Sequence, residues 1–195
     1  MENRIQQALN KFDDYNRNDP NTFNWQGTEY PQELFLAEKL YHWIFKLSPS
    51  PSVALKLASR AQHIGRWEIS RDSFPMDKVG YLSWRKHLAH HHAKITRSIL
   101  GSLDFSEDII NQVEQIILKK SIKSTPDVQT MENALCLVFL EFQYEDFHPK
   151  YEDKIVNILK RSLLKMDKTG HNFALNLPYS KNGSKFIEAA LAELG

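Results

Sequence analysis

Apolar residues recur along this chain at intervals of three and four, the spacing of helix faces. Residues 2–12 place Ile5, Ala8, Leu9 and Phe12 on one side. Residues 13–31 lose the period, and Asp-Pro-Asn, Trp-Gln-Gly and Tyr-Pro mark them as loop. Pro31 suits the first turn of a helix over 31–47. That helix carries one stripe of Leu36, Leu40, Trp43 and Leu47 and a second of Leu34, Tyr41 and Phe45, so it is expected to be largely buried. Ser48-Pro-Ser-Pro-Ser is a turn, and Ser50 or Ser52 can cap a helix over 53–64, rich in Ala and Leu. Further helices are expected over 80–100, with Tyr81, Trp84, Leu88, Ile95 and Ile99 inward, and over 106–119, opened by Ser106. Residues 125–145 are apolar on all sides from Leu135 to Leu140 and form the expected central helix. Residues 151–166 and 184–194 complete the series, with 171–178 a structured tail segment between them. No alternating strand pattern, hairpin turn or repeat stands out. The expectation is an all-α, single-domain bundle of about seven to nine helices over residues 1–195.

Composition narrows the function classes. A chain of 195 residues is long enough for a substantial core. Its net charge of +1 gives no global field toward nucleic acid or membrane. No stretch approaches the ~18–20 apolar residues of a membrane span. The first residues, Met-Glu-Asn-Arg-Ile-Gln-Gln, show no apolar signal region. One cysteine, Cys136, excludes an intrachain disulfide framework and reads as a small buried hydrophobe. A soluble, cytoplasmic protein is expected.

The informative residues are polar ones on apolar faces. In the 53–64 helix, Leu55, Ala58, Gln62 and Arg66 lie on one stripe, which turns polar where Gly65 stops the helix. Gln62, His63, Arg66 and Trp67 are therefore expected to form one wall of a polar pocket; the alternative is a surface helix end with a loosely packed Trp67. In the 80–100 helix His92 lies four residues after Leu88 and three before Ile95, and so faces inward, with Arg85 two turns before it. His91 is at the border, and His87 and His90 point away. Glu38 falls within the second stripe of its helix, and a buried carboxylate must be paired, hydrogen-bonded or metal-bound. Glu132 and Glu141 flank the apolar run of the central helix on nearly opposite faces. Lys119, Lys120 and Lys123 close the 106–119 helix, where positive charge is favourable.

The string Arg-Ala-Gln-His-Ile-Gly-Arg-Trp-Glu-Ile-Ser-Arg at 60–71 resembles an uncharacterised family, domain-of-unknown-function family 4202. So do Pro75-Met76, Gly80-Tyr81-Leu82, Trp84-Arg85, the run from Met131 to Glu141, Lys165-Met166 and Gly170-His171. The resemblance covers nearly the whole chain and implies no activity. Two departures are Met131-Glu132-Asn133, where the family has Leu-Glu-Asp, and Ser70, where it has Pro. More distantly, residues 57–66 are similar to the segment of histidine–aspartate (HD) domain phosphohydrolases that ends His-Asp-Ile-Gly-Lys. This similarity implies an HD-like helical fold and a divalent metal. It places Gln62 at the histidine and His63 at the aspartate of that signature. His92 would match a downstream histidine, Glu38 the first ligand, and Glu132 or Glu141 the last.

Three functions follow. In a metal-dependent phosphohydrolase, His63, His92, Glu38 and Glu132 or Glu141 hold Zn, Mn or Fe, which makes hydroxide available. Arg66 and Arg85 then act on the reacting phosphoryl group, and Arg60, Gln62, Arg71, Trp67 and Trp84 bind substrate. In a non-catalytic module the same pocket holds a small anionic or phosphorylated ligand, with Arg66-Trp67 and Trp84-Arg85 supplying charge and stacking. In a purely structural reading the arginines neutralise buried Glu38, Glu132 and Glu141.

Overall fold

The computed structural model describes residues 1–120 and 125–194. Lys123, assigned above to a helix end, lies outside the described residues. The fold class is all-α: among the described residues there are ten α-helices, one of them a single turn, and one small two-stranded sheet. The chain forms two compact units, residues 1–42 with 50–120 and residues 43–49 with 121–195.

The first unit begins with α1 (Glu2–Asn16), a turn longer than its apolar pattern suggests. The segment expected to be loop then forms a hairpin, β1 (Thr22–Trp25) and β2 (Thr28–Pro31), paired antiparallel. Its two-residue turn, Gln26-Gly27, has positive φ at both positions, 52° and 81°, the geometry that matches strand twist. The ring of Phe23 stacks on Phe35 at 4.8 Å, and Tyr30 lies 5.2 Å from the same ring. Four-residue strands with mostly exposed side chains leave little alternation to detect. Pro31 closes this hairpin, and α2 (Gln32–Leu47) starts one residue later. Its cap comes from far upstream: Asp19 Oδ2 accepts from the Glu33 amide at 2.9 Å.

The short helix α3 (Val53–Ala61) packs against α1 and against α5 (Glu107–Ile117). Ser52 caps it by accepting from the Leu55 amide. Leu55, Leu57, Ala58 and Ala61 are wholly buried, and each leucine contributes on the order of 2 kcal/mol by leaving water. The long helix α4 (Lys78–Gly101) also packs on α5 and α1. Its buried stripe is Leu88, His92, Thr96 and Leu100, a strict four-residue repeat. The expected apolar face is therefore rotated: Tyr81 is exposed and Ile95 and Ile99 are only half-buried. Arg97 clamps α4 to α5 through Glu107 and Glu114.

His87 and His90 are exposed on α4. His87→Ala and His90→Ala should each shift stability by no more than ~0.5 kcal/mol in chemical denaturation, because neither removes a buried contact. A loss of several kcal/mol in either would contradict the helix phase.

In the second unit α6 (Pro126–Phe142) is buried along most of its length, from Val128 through Leu140. α7 (Tyr144–Phe147), α8 (Ile155–Leu163), α9 (Lys168–Leu175) and α10 (Lys181–Ala192) follow. α6 packs with α9, and α8 with α10. Tyr144 is fully buried, its hydroxyl donating to the Gly183 carbonyl. No described helix is long and apolar enough to cross a membrane.

Candidate functional site

The site grows from the C-terminal end of α3. After Ala61 the chain leaves the helix through Gln62 and His63, and Gly65 turns it with φ +67°. A side chain there would be strained by that φ, which favours glycine; the 2.7 Å approach of a Cβ to Ile95 Cδ1 is one the isoleucine can relieve by moving. The left-handed turn starts a 3-10 turn, Arg66–Glu68. Glu68 is held by the Tyr15 hydroxyl at 2.6 Å and by His91 at 2.7 Å. His63 and Arg66 thus leave a fixed backbone.

His63 meets His92 of α4, with ring centroids 5.8 Å apart. His92 is 2% exposed, and its Nδ1 lies 2.6 Å from the Ile64 carbonyl. A carbonyl only accepts, so Nδ1 carries the proton and Nε2 is left as an acceptor. Burial pushes the His92 pKa down to about 4, against the pull of that hydrogen bond. His63 is held well below the ordinary histidine range by burial, then by the positive charge of Arg66, by His92, and by Lys119 and Arg85. Both imidazoles are neutral at pH 7.

The two rings open onto a cavity of about 250 Å³. Its charged lining is entirely cationic: Arg66, Arg85, Lys86 and Lys119. Gln62 forms part of the floor; it is 3% exposed, donates through Nε2 to the Ile117 carbonyl, and leaves Oε1 without a hydrogen-bond partner. Leu82 and Leu88 supply apolar wall. Arg85 lies 5.8 Å from the Tyr81 ring.

Behind the imidazoles sits an acid that the helix stripes pointed away from. Glu33, in the first turn of α2, is 3% exposed. Its Oε2 is 3.8 Å from His63 Nδ1, too far for a hydrogen bond, and Oε1 is 3.6 Å from Arg66 Nε. Burial pushes its pKa up to about 7; Arg66 opposes the shift and Asp19 adds to it. A signal existed: Glu33 shares a helical stripe with Ala37, Leu40 and Ile44, all buried.

The expected site residues separate into groups. His63, His92, Gln62, Arg66 and Arg85 come together. Trp67, Arg71 and Trp84 line an adjoining cavity with Glu33 and Arg66. Arg71 also ties down its own loop, donating to the carbonyls of Phe74 and Pro75. Arg60 is engaged elsewhere, paired through both donors with Asp13 of α1. Glu38 is not buried: its side chain is 50% exposed and 3.8 Å from Arg60. The stripe of Leu34, Tyr41 and Phe45 that was to bury Glu38 is itself only partly covered. Glu132 and Glu141 belong to the second unit. There Glu141 accepts from the Trp43 indole at 2.7 Å, and Glu132 is buried along α6. Among the described residues no three His, Cys, Asp or Glu side chains gather to hold a metal ion. The donor set present, two imidazoles and Glu33 beside four cationic side chains, therefore does not fit the divalent metal that the HD similarity implies.

These features define a mainly helical unit with a cation-lined cleft around two neutral imidazoles. The chain belongs to the domain of unknown function family DUF4202, whose model matches residues 6–187. No curated protein and no solved structure matches it.

Proposed function

We propose that the first unit binds a small anionic, phosphate-bearing ligand in the cleft between the end of α3 and α4. The observation that carries this reading is the lining: four cationic side chains and no carboxylate around one cavity, in a chain whose net charge is only +1. The depression of His63 accords with it: burial is the largest cause, and Arg66, Lys119 and Arg85 add to it at that one ring. Like charges held together are costly, and a bound anion relieves them. Arginine offers paired donors to phosphate, while lysine acts as a point charge.

The chemistry available to these residues is binding and proton exchange. His92 presents Nε2 as an acceptor, suited to a protonated phosphate oxygen. A phosphate beside His63 replaces repulsion with attraction and raises that ring's pKa, so binding should take up protons near neutral pH. Hydrolysis of a phosphoester by a resident metal would need donors beyond His63 and His92, and anion binding does not.

Isothermal titration calorimetry with inorganic phosphate at pH 6.5 and 7.5 tests the reading. We expect saturable binding, tighter at the lower pH, with proton uptake visible as a buffer-dependent heat. Arg85→Ala should weaken it roughly tenfold, the loss expected for one charge-assisted contact. Arg85 is exposed, so the fold should tolerate the change. Absence of binding, or an unaffected Arg85→Ala variant, would remove the anion reading.

A further inference from the structure

The cleft has a neighbour of different character. A second cavity, about 230 Å³, is lined by Glu33, Arg66, Arg71, Trp67 and Trp84, and by Asn21 and Gln32. Arg66 lines both cavities. Each alone is smaller than the ~300–1,000 Å³ of ordinary ligand pockets, so a ligand of that size would have to reach past Arg66 into both.

The second cavity presents a demand that the protein leaves unmet. Glu33 is 3% exposed and its Oε2 has no hydrogen-bond partner. A carboxylate oxygen buried in that way is costly unless a donor reaches it. The donor is not a second cation: the Arg66 guanidinium already stands 3.6 Å from Oε1 and would repel an ammonium group. At the carboxylate an anion is repelled, and Arg71, the other cation of the lining, donates to the Phe74 and Pro75 carbonyls instead. What remains is a neutral group that brings N–H donors. Two indoles on the same cavity favour a flat aromatic one. Trp84 is fixed for that purpose, its Nε1 donating to the Ile69 carbonyl at 2.9 Å and its ring lying 5.1 Å from the Arg66 guanidinium.

We infer that the Glu33 cavity recognises a guanine base, and that the ligand of the cation-lined cleft is a guanine nucleotide. Guanine is a neutral aromatic ring with two adjacent N–H donors, at N1 and the 2-amino group, on one edge. A carboxylate accepts both in parallel, in the same charge-assisted geometry by which acidic side chains read amino groups on bases. Arg66, which lines both cavities, stands 3.6 Å from the carboxylate and would face the phosphate as well. This inference rests on the anion reading for its phosphate half and on Glu33 for its base half.

Calorimetry on the full chain separates the two halves. GMP, IMP, AMP and inorganic phosphate are titrated in turn, then guanosine and inosine without phosphate. GMP should bind roughly tenfold or more tightly than IMP, which lacks the 2-amino donor, and than AMP, whose edge presents an acceptor at N1. Guanosine should be preferred over inosine by a similar factor. Glu33→Gln should bring GMP and IMP within about threefold of each other, while phosphate still binds. Arg85→Ala should weaken all the phosphate-bearing ligands and leave the guanosine preference in place. Equal affinities for GMP, IMP and AMP in the unaltered protein would overturn the inference with phosphate binding intact. So would a guanine preference that survives Glu33→Gln. Failure of phosphate to bind, with guanosine still preferred, would strike the anion reading and spare the Glu33 assignment. The ligand series on the unaltered protein decides the matter even if the Glu33 variant folds poorly.

Discussion

Gly80→Ala should destabilise the protein by on the order of 2–4 kcal/mol and loosen the cleft with it. Gly80 is buried in the first turn of α4, where its amide donates to Asp77 Oδ1, the helix cap, at 2.7 Å. A Cβ at this position would stand 2.0 Å from the Pro75 carbonyl oxygen and 2.7 Å from its carbon. Those are backbone atoms, so no side-chain rotation relieves the clash; either the helix start or the 70–77 loop must move. The same Pro75 carbonyl accepts from Arg71, which also reaches the Asp77 carbonyl. One methyl group therefore strains the cap, the loop and the arginine that closes it. The consequence for the site follows along the helix, because α4 carries Leu82, Arg85 and Lys86 to the cleft within its next two turns. Gly101→Ala is the control: nothing lies within 4 Å of its Cβ position, and alanine in a helix is favoured over glycine by up to ~1 kcal/mol. Thermal unfolding of the two variants should move in opposite directions. An unchanged midpoint for Gly80→Ala would show that the loop is free to give way.

The sequence disclosed those parts of this architecture that depend on local period. Helix existence and type were legible because stripes such as Ile110, Val113 and Ile117 need only one helix to be seen. The pairing of His63 with His92 was legible for a related reason: one ends a helix beside a stripe that turns polar at Gln62 and Arg66, and the other is a polar residue on an apolar face. The hairpin was not legible, because four-residue strands with exposed side chains carry almost no alternation and its turn rests on Gln26, an ordinary residue in a left-handed conformation. The acid of the site was missed through an error of phase. Two stripes on α2 were each plausible, and Glu38 sat in the richer aromatic one; the stripe that is buried runs through Glu33 and Ala37 instead. The local signal, the stripe of Glu33 with Ala37, Leu40 and Ile44, does not by itself outweigh the others, and the helix start is set by Asp19, fourteen residues before Glu33. Arg60 failed for the opposite reason. Its neighbours in sequence line the cleft, but a one-turn offset aims it at Asp13.

Glu33→Gln should stabilise the protein at pH 8 and leave it nearly unchanged at pH 4.5. The carboxyl titrates near its ordinary 4.5 in the unfolded chain and at about 7 in the fold, because burial disfavours the charge. Below 4.5 it is protonated in both states and contributes nothing to pH dependence. Between 4.5 and 7 the folded state binds the extra proton, so stability falls as pH rises. Above 7 the carboxylate is charged in both states and the full cost of burying it is present, about 3 kcal/mol at ~1.4 kcal/mol per pKa unit. The groups facing it are Arg66 and His63 from the segment after α3, and Asp19 from the segment before the hairpin. Gln removes the charge and keeps the shape, though its amide donors offset part of the gain, so about 2 kcal/mol at pH 8 is the expected result. His63 and His92 act with the opposite sign: their depressed values make the unfolded chain the stronger base, and they take stability away as pH falls below their ordinary 6.5. They are common to both proteins and cancel in the difference to the extent that Glu33 does not itself set their titration. Urea denaturation at half-unit steps from pH 4.5 to 8.5 should show the variant's advantage growing between about 5 and 7 and then levelling. A difference that stays flat across that range would mean Glu33 ionises alike in the folded and unfolded chain, so that burying it carries no cost, and an unmet carboxylate could not then be what the second cavity offers a ligand. A rising difference would show an acid retained at a cost to stability, as expected of a group kept for what it binds.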